Sequence, residues 1–209
     1  GSGKEDDNAV EVSKSFFDTF RNGDMDAVRL LLARKDIQIN QVDEDGRTPL
    51  YSACGYGHAD VVRLLLDMPD IDVNQANEDG ATPLHMACQG GHVDVVRLLL
   101  ARKDIQINQA EEYGATPLYT ACQIGHVDVV RLLLAREEIQ INQAMNDGAT
   151  PLSVTCQEGH VDVVRLLLAM PGIDVNKADK DGKTPLYAAC YNSHVEAVRL
   201  LLARKEIDI

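Results

Sequence analysis

The stretch Gly80-Ala81-Thr82-Pro83-Leu84-His85-Met86-Ala87-Cys88-Gln89-Gly90-Gly91-His92, continued by Val93-Asp94-Val95-Val96-Arg97-Leu98-Leu99-Leu100, carries the signals of two short helices. Asp79-Gly80 marks a tight turn before them, since Gly accepts positive φ without steric cost. Thr82 stands where an N-cap belongs and Pro83 at the first helical position. Leu84, Ala87 and Cys88 follow, with Ala87 and Cys88 small enough for close helix approach. Gly91 ends this helix and turns the chain. His92 leads into the second helix, where Asp94 in the first turn suits the dipole and Arg97 is placed to pair with it. Val95, Val96, Leu98, Leu99 and Leu100 predict that this helix is largely buried. Beyond it, Ile105-Gln106-Ile107-Asn108 alternates as an extended segment does and leads to the next turn at Gly114.

The same reading recurs along the chain. Thr-Pro-Leu begins at Thr48, Thr82, Thr116, Thr150 and Thr184, always 34 residues apart. The step also links Gly46, Gly80, Gly114, Gly148 and Gly182, and Asn40, Asn74, Asn108, Asn142 and Asn176. All five cysteines fall on it (Cys54, Cys88, Cys122, Cys156, Cys190), as do five of the six histidines (His58, His92, His126, His160, His194). A fixed period of this size means stacked supersecondary units, each leaning on its neighbours, rather than one closed core.

Gly80-x-Thr82-Pro83-Leu84-His85-x-Ala87, then Gly91-His92, then Val96-x-x-Leu99-Leu100, with Val73-Asn74 in the preceding loop, resembles the ankyrin repeat. The resemblance covers residues 8–209 and is specific because it is met five times in tandem. It implies a mainly α repeat solenoid: stacked helix-turn-helix pairs with β-turn or β-hairpin fingers. One departure is systematic. The Gly-Ala-Asp usual after the second helix is replaced by Arg-Lys-Asp-Ile-Gln-Ile at 102–107, by Met-Pro-Asp-Ile-Asp-Val at 68–73, and by their relatives. The repeat is thereby one residue longer than the common period of about 33. Pro69 and Pro171 supply a helix stop in two repeats. Elsewhere Arg102, Lys103 and Arg136 are placed to favour the dipole at the end of their own helix.

Domain boundaries follow from the period. Residues 1–7 read as an expression scar (Gly1-Ser2-Gly3) and a flexible tail. Residues 8–45 form an N-terminal capping helix pair: Gly23 and Arg29-Leu30-Leu31-Leu32 align by the step, but Lys14-Ser15-Phe16 replaces Thr-Pro-Leu, and all three Phe of the chain (Phe16, Phe17, Phe20) are here. Five repeats follow at 46–79, 80–113, 114–147, 148–181 and 182–209, the last one truncated. Leu200-Leu201-Leu202 keeps the interior pattern, as in an array that continues or has been cut.

Composition excludes several function classes. Lys and Arg total 20 against 33 Asp and Glu, a formal net charge of −13. Nucleic acid and anionic membrane surfaces call for a basic footprint, so neither is an expected partner. Hydrophobic residues make up 45% and Trp is absent, so the core is aliphatic. No apolar run approaches the ~18 residues of a membrane span.

The cysteine ladder does not suit disulfides or metal. Stacked helices lie ~8–10 Å apart, whereas a disulfide needs Cα atoms within ~7 Å. Translated copies point in parallel and do not converge on one ion, and no Cys-x-x-Cys spacing occurs. The expectation is five buried, reduced thiols in a reducing compartment, hence an intracellular and cytoplasmic location. The His ladder fails as a metal site for the same reason. It is expected to hydrogen-bond nearby backbone at the start of each second helix. His85 replaces the Tyr of Tyr51, Tyr119 and Tyr187. No nucleophile-base pair is particular to one place, and there is no phosphate loop or Walker-type lysine. The chain is therefore expected to be no enzyme, with no catalytic residue, cofactor or metal.

Positions that vary between repeats carry the functional signal. At the expected finger tips these are Glu44, Asp45 and Arg47; Glu78 and Asp79; Glu112 and Tyr113; Asn146 and Asp147; and Lys180, Asp181 and Lys183. Along the first helices they are Tyr56; Met86 and Gln89; Gln123 and Ile124; Gln157 and Glu158; and Tyr191. The family resemblance implies that these places line a concave groove. Tyr56, Met86, Tyr113, Ile124 and Tyr191 weigh most, being of types enriched at interfaces. Residues 1–45 carry a net −5 and residues 182–209 a net +1, so the N-terminal part suits a basic partner. The leading reading is a non-enzymatic scaffold that binds a protein or peptide through finger tips and groove, as a monomer, with end-to-end association open. The alternatives are a structural spacer in a longer ankyrin-repeat chain and a designed or consensus-derived protein.

Stability in such an array is local. Residues 182–209 have a neighbour on one side only and carry Ser193 where Gly57, Gly91, Gly125 and Gly159 stand. A left-handed non-Gly residue costs roughly 1 kcal/mol. Among the helices, this last pair is expected to show the fastest amide exchange, slowed by Ser193→Gly. Loss of a buried Phe16 or Phe20 ring from the cap costs on the order of 3 kcal/mol. Hydrogen exchange read by mass spectrometry checks both ends; faster exchange in the N-terminal helices would refute the cap.

Overall fold

A computed structural model describes residues 15–208. The expected tail at 1–7, the first part of the cap at 8–14, and Ile209 lie outside the described residues. The chain divides into two compact units, one ending at Ile105 and the other beginning at Gln106.

In the first unit, α1 is helical through residues 15–22. It is followed by α2 (Met25–Leu32), α3 (Pro49–Gly55), α4 (Ala59–Leu66), α5 (Pro83–Gln89) and α6 (Val93–Leu100). The second unit holds α7 (Pro117–Ile124), α8 (Val127–Leu134), α9 (Pro151–Glu158), α10 (Val161–Leu168), α11 (Pro185–Tyr191) and α12 (Val195–Leu202). Among the described residues there is no strand. Within each unit, first helices pack on first helices and second on second: α3 on α5 and α4 on α6, then α7, α9 and α11, and α8, α10 and α12. Leu50, Cys54, Val62 and Leu65, with Leu84, Cys88, Val96 and Leu99, make one aliphatic core. Leu118, Val130, Leu133, Leu152, Val164 and Leu167 belong to the other. In the cap, Phe20 and Phe17 are buried, and Phe16 lies edge-on against both at 5.2 and 5.1 Å.

Each Thr-Pro start is a capped helix. Thr48, Thr116 and Thr184 accept the N–H of the tyrosine three residues on, and the proline sits in the first turn. His85 and Ser153 do more in the tyrosine's place. The Thr82 N–H donates to His85 Nδ1 at 3.1 Å and the Thr150 N–H to Ser153 Oγ at 2.7 Å, closing capping boxes.

The histidines at the start of the second helices do not cap those helices. Their rings reach back to the preceding pair. His58 Nε2 donates to the Arg21 carbonyl at 2.7 Å, His92 to Gly55 at 3.0 Å, His160 to Gln123 at 3.0 Å and His194 to Gln157 at 2.9 Å. A carbonyl can only accept, so Nε2 carries the proton. The acceptors belong to the last turn of a first helix, whose carbonyls lack partners within the helix. The ring then lies over a glycine of that pair. A Cβ on Gly159 (φ 75°) would stand 2.5 Å from the His194 ring, and one on Gly57 (φ 75°) 2.5 Å from His92. Glycine is needed there for its conformation and for its missing side chain. Ser193 holds the left-handed position at φ 61° in the last described pair.

Asparagine ties the loops. Asn40 Nδ2 donates to Asp70 O at 2.6 Å while its Oδ1 accepts the Asp72 N–H at 3.0 Å. Asn108 clamps Glu138 and Gln140, Asn142 clamps Gly172 and Asp174, and Asn176 clamps Glu206 and Asp208 in the same way. The long loop's arginine departs from expectation at Arg102, and Arg204 behaves alike. Asp104 and Glu206, two residues on, hold these guanidinium forks. Arg102 donates to Leu66 O and Arg204 to Leu168 O, the ends of the preceding second helices. The expected pairing within the second helix occurs at Arg199–Glu196, 3.8 Å, but Arg165 instead reaches Glu196 of the next pair at 2.7 Å.

One expectation fails. Cys54, Cys88, Cys122 and Cys156 are buried, but Cys190 is exposed. α3 and α9, which carry Cys54 and Cys156, are packed on by the next first helix, α5 or α11, whereas among the described residues no following first helix packs on α11. All five thiols are free.

Two outcomes follow from this packing. Gly172 also has a left-handed φ, 78°, but nothing lies within 4 Å of where its Cβ would be. Gly172→Ala is expected to cost about 1–2 kcal/mol from backbone strain. Gly159→Ala should cost about 1–3 kcal/mol more from the ring it strikes. Adding His194→Ala should recover about 1 kcal/mol or more of that excess as a coupling energy in urea melts. Equal costs at the two glycines would refute the ring contact.

The thiols give the second. Burial pushes Cys122 and Cys156 from the ordinary 9.0 up to about 12, and Cys54 higher still. The folded state therefore keeps protons that the unfolded chain releases, and stability falls as pH rises from 9.0 toward about 12. Urea midpoints should decline over that window. A thiol reagent at neutral pH should modify Cys190 alone in the native protein, and the other four only after unfolding, as read by intact mass.

Candidate protein-binding surface

Fingers and first helices present the candidate residues. Each finger is a short turn closed by its own side chain. Asp43 Oδ1 accepts the Asp45 and Arg47 N–H groups, Glu111 Oε1 those of Tyr113 and Ala115, and Asp179 Oδ1 those of Asp181 and Lys183. In the fourth finger Met145 cannot do this, and Asp147 Oδ1 accepts the Ala149 N–H instead. Neighbouring fingers share one backbone bond: Glu78 N to Asp45 O at 3.3 Å in the first unit, and Asn146 N to Tyr113 O and Lys180 N to Asp147 O, both 2.8 Å, in the second.

This sorts the tip residues. Glu44, Asp45, Glu78, Asp79, Glu112, Tyr113, Lys180 and Asp181 are exposed. Arg47 is half-buried and paired with Asp45 at 2.9 Å, and exposed Lys183 is paired with Asp181 at 2.9 Å. That pairing raises the Lys183 pKa above its ordinary value. Asn146 and Asp147 are exposed but already work for the scaffold, since Asn146 Nδ2 donates to Glu112 O and Asp147 holds its own turn.

On the helices, Tyr56, Gln89, Gln123, Ile124, Gln157, Glu158 and Tyr191 are exposed. Met86 is only half-buried, and its methyl end lies 3.4 Å from where a Gly55 Cβ would be. Tyr56 stacks on His58 at 6.2 Å. Gln157 Nε2 donates to Glu158 Oε1 at 3.1 Å.

The second unit gathers part of this set. Gln157, Lys183 and Tyr191 line a pocket of about 490 Å³ together with Tyr119, Val154, Asp179 and Tyr187. Tyr113 and Ile124, in the same unit, are not on its lining. Tyr187 was legible in the sequence only as a packing residue. Its counterparts Tyr51 and Tyr119 are 7% and 6% exposed, but Tyr187 is 47% exposed and stacks on Tyr191 at 5.9 Å. The signal was its place in the last pair. Burial, then Asp147 and Glu158, push the Tyr119 hydroxyl up to about 12, so it is a neutral donor at physiological pH.

The arrangement is suited to contact rather than bond-making. Burial keeps the Cys54, Cys122 and Cys156 thiols protonated and so poor nucleophiles. Four ladder imidazoles spend Nε2 on carbonyls. Among the described residues no group of three or more His, Cys, Asp or Glu could hold a metal ion, and no helix is long and apolar enough to cross a membrane.

No curated protein matches the chain. The family model for ankyrin repeats, in three copies, matches residues 17–77, 69–144, 104–179 and 137–209. Ankyrin repeats in general are protein–protein interaction modules and non-enzymatic scaffolds. With five Thr-Pro helix starts, turn fingers and helix pairs stacked within each unit, the chain belongs to the ankyrin-repeat family.

Proposed function

We propose that this chain is a non-catalytic intracellular scaffold that binds a partner protein or peptide of basic character through its finger tips and first-helix face. The observation that carries this reading is the exposure of Tyr56, Tyr113, Ile124 and Tyr191. Exposed aromatic and large apolar groups are the types that anchor interfaces, and truncating such an anchor removes about 2 kcal/mol or more of binding energy. The acidic tips Glu44, Asp45, Glu78 and Asp79 supply the complement for a basic segment.

A second reading, a spacer within a longer array, is favoured by Val195 and Leu202, which are exposed on α12. Ser193 opposes it. Its Cβ occupies the kind of position over which the next histidine ring lies elsewhere, so a following repeat would need a different residue there.

Selection of random 12-residue peptides displayed on phage, followed by calorimetry on synthetic winners, tests the binding reading. Winners should be enriched in Lys and Arg. Tyr113→Ala with Ile124→Ala should weaken them about 30-fold or more. Arg63→Ala, exposed on the second-helix side, should leave affinity unchanged. Failure to enrich any peptide, or winners indifferent to the double substitution, overturns the reading.

A further inference from the structure

We propose that the pocket of about 490 Å³ in the second unit receives the guanidinium of an arginine side chain carried by the partner. This rests on the reading of this face as a protein-binding surface and names the chemistry of one subsite.

Its aromatic wall comes first. Tyr187 and Tyr191 stand one helical turn apart on α11 with rings 14° from parallel, and are 47% and 76% exposed. These two phenol faces spend exposed aromatic area that neither the cap nor the core of the pair requires. The remaining lining is mixed: Val154 and Tyr119 give apolar contact, and Gln157 gives an amide.

Charge decides which side chain fits. Asp179 lines the pocket and uses Oδ1 for the finger turn, so its second oxygen lies outside those two bonds. Glu158 is held beside the lining by Gln157 at 3.1 Å. Asp147 and Glu158 both act electrostatically on the hydroxyl of Tyr119, itself a lining residue. Lys183 is the cation on the lining, and Asp181 neutralises it at 2.9 Å. The balance is anionic, which disfavours a carboxylate and attracts a cation. A guanidinium lies flat on a tyrosine face while its in-plane N–H groups fork onto a carboxylate. An ammonium is a compact, strongly hydrated point charge and cannot satisfy both walls at once.

The test is a nuclear magnetic resonance titration of the full chain with Nα-acetyl-arginine methylamide, repeated with the citrulline and glutamate counterparts. Citrulline keeps the shape and loses the charge. Arginine should give saturable shifts at Val154, Tyr187, Ala188 and Tyr191, with citrulline and glutamate about tenfold weaker or more. Tyr191→Ala should weaken arginine binding about fivefold. Lys183→Gln should tighten it about twofold by removing a nearby cation, an effect that damage to the fold would not produce. Absence of saturable shifts at these residues, equal binding of citrulline, or preference for glutamate overturns the assignment. The peptide selection reads Tyr113 and Ile124, off this pocket. If peptides bind there and arginine fails here, only the pocket assignment falls. If no peptide binds, the wider reading falls and takes this subsite's partner with it.

Discussion

Within each unit, an imidazole lying over a glycine sets how one helix pair meets the one before it. The ring donates from Nε2 to a carbonyl that the end of a helix leaves unpaired, and its edge fills the space where a Cβ would be. The hydrogen bond demands the close approach, and the close approach demands the glycine. His and Gly are thus one constraint written at two positions, and neither can change alone without loss. Within the units, asparagine clamps and finger bonds add further ties at the loops and tips. Neighbour-only contacts of this kind make stability a sum of local terms.

The lengthened loop shows how a missing helix-ending glycine is compensated. Ala33, Ala101, Ala135, Ala169 and Ala203 take right-handed C-cap conformations. At two of the helix ends, the carbonyl left over is met by the following repeat's arginine, held in place by an acid two residues along. These forks are solvent-exposed ion pairs that add little stability of their own, so their value is directional. They aim a donor at a carbonyl that would otherwise face water.

Because scaffold roles absorb so many positions, the residues left over are informative. The side chains of Tyr113, Ile124 and Tyr191 are exposed without a part in caps, ladders or clamps, while exposed Tyr56 stacks on His58. The fingers divide more finely. Residues of one finger tip hold the turn, as Asp147 does, or the next finger, as Asn146 does, while their neighbours stay open to solvent.

The period, the Thr-Pro helix starts, the left-handed glycines and the buried aliphatic stripes were all legible in the sequence. They depend on local conformational preference and on a pattern repeated five times. What the sequence could not settle were relations between repeats, because these depend on which groups a given helix pair meets. The histidines bond backwards to the preceding pair, and Arg102 serves Leu66 rather than its own helix end. Cys190 and Tyr187 carry the same residue types as their buried counterparts, yet both are exposed, since among the described residues α9 is the one first helix that packs on α11. Identical letters acquired different environments from the number of neighbours alone, and that number is a property of tertiary structure.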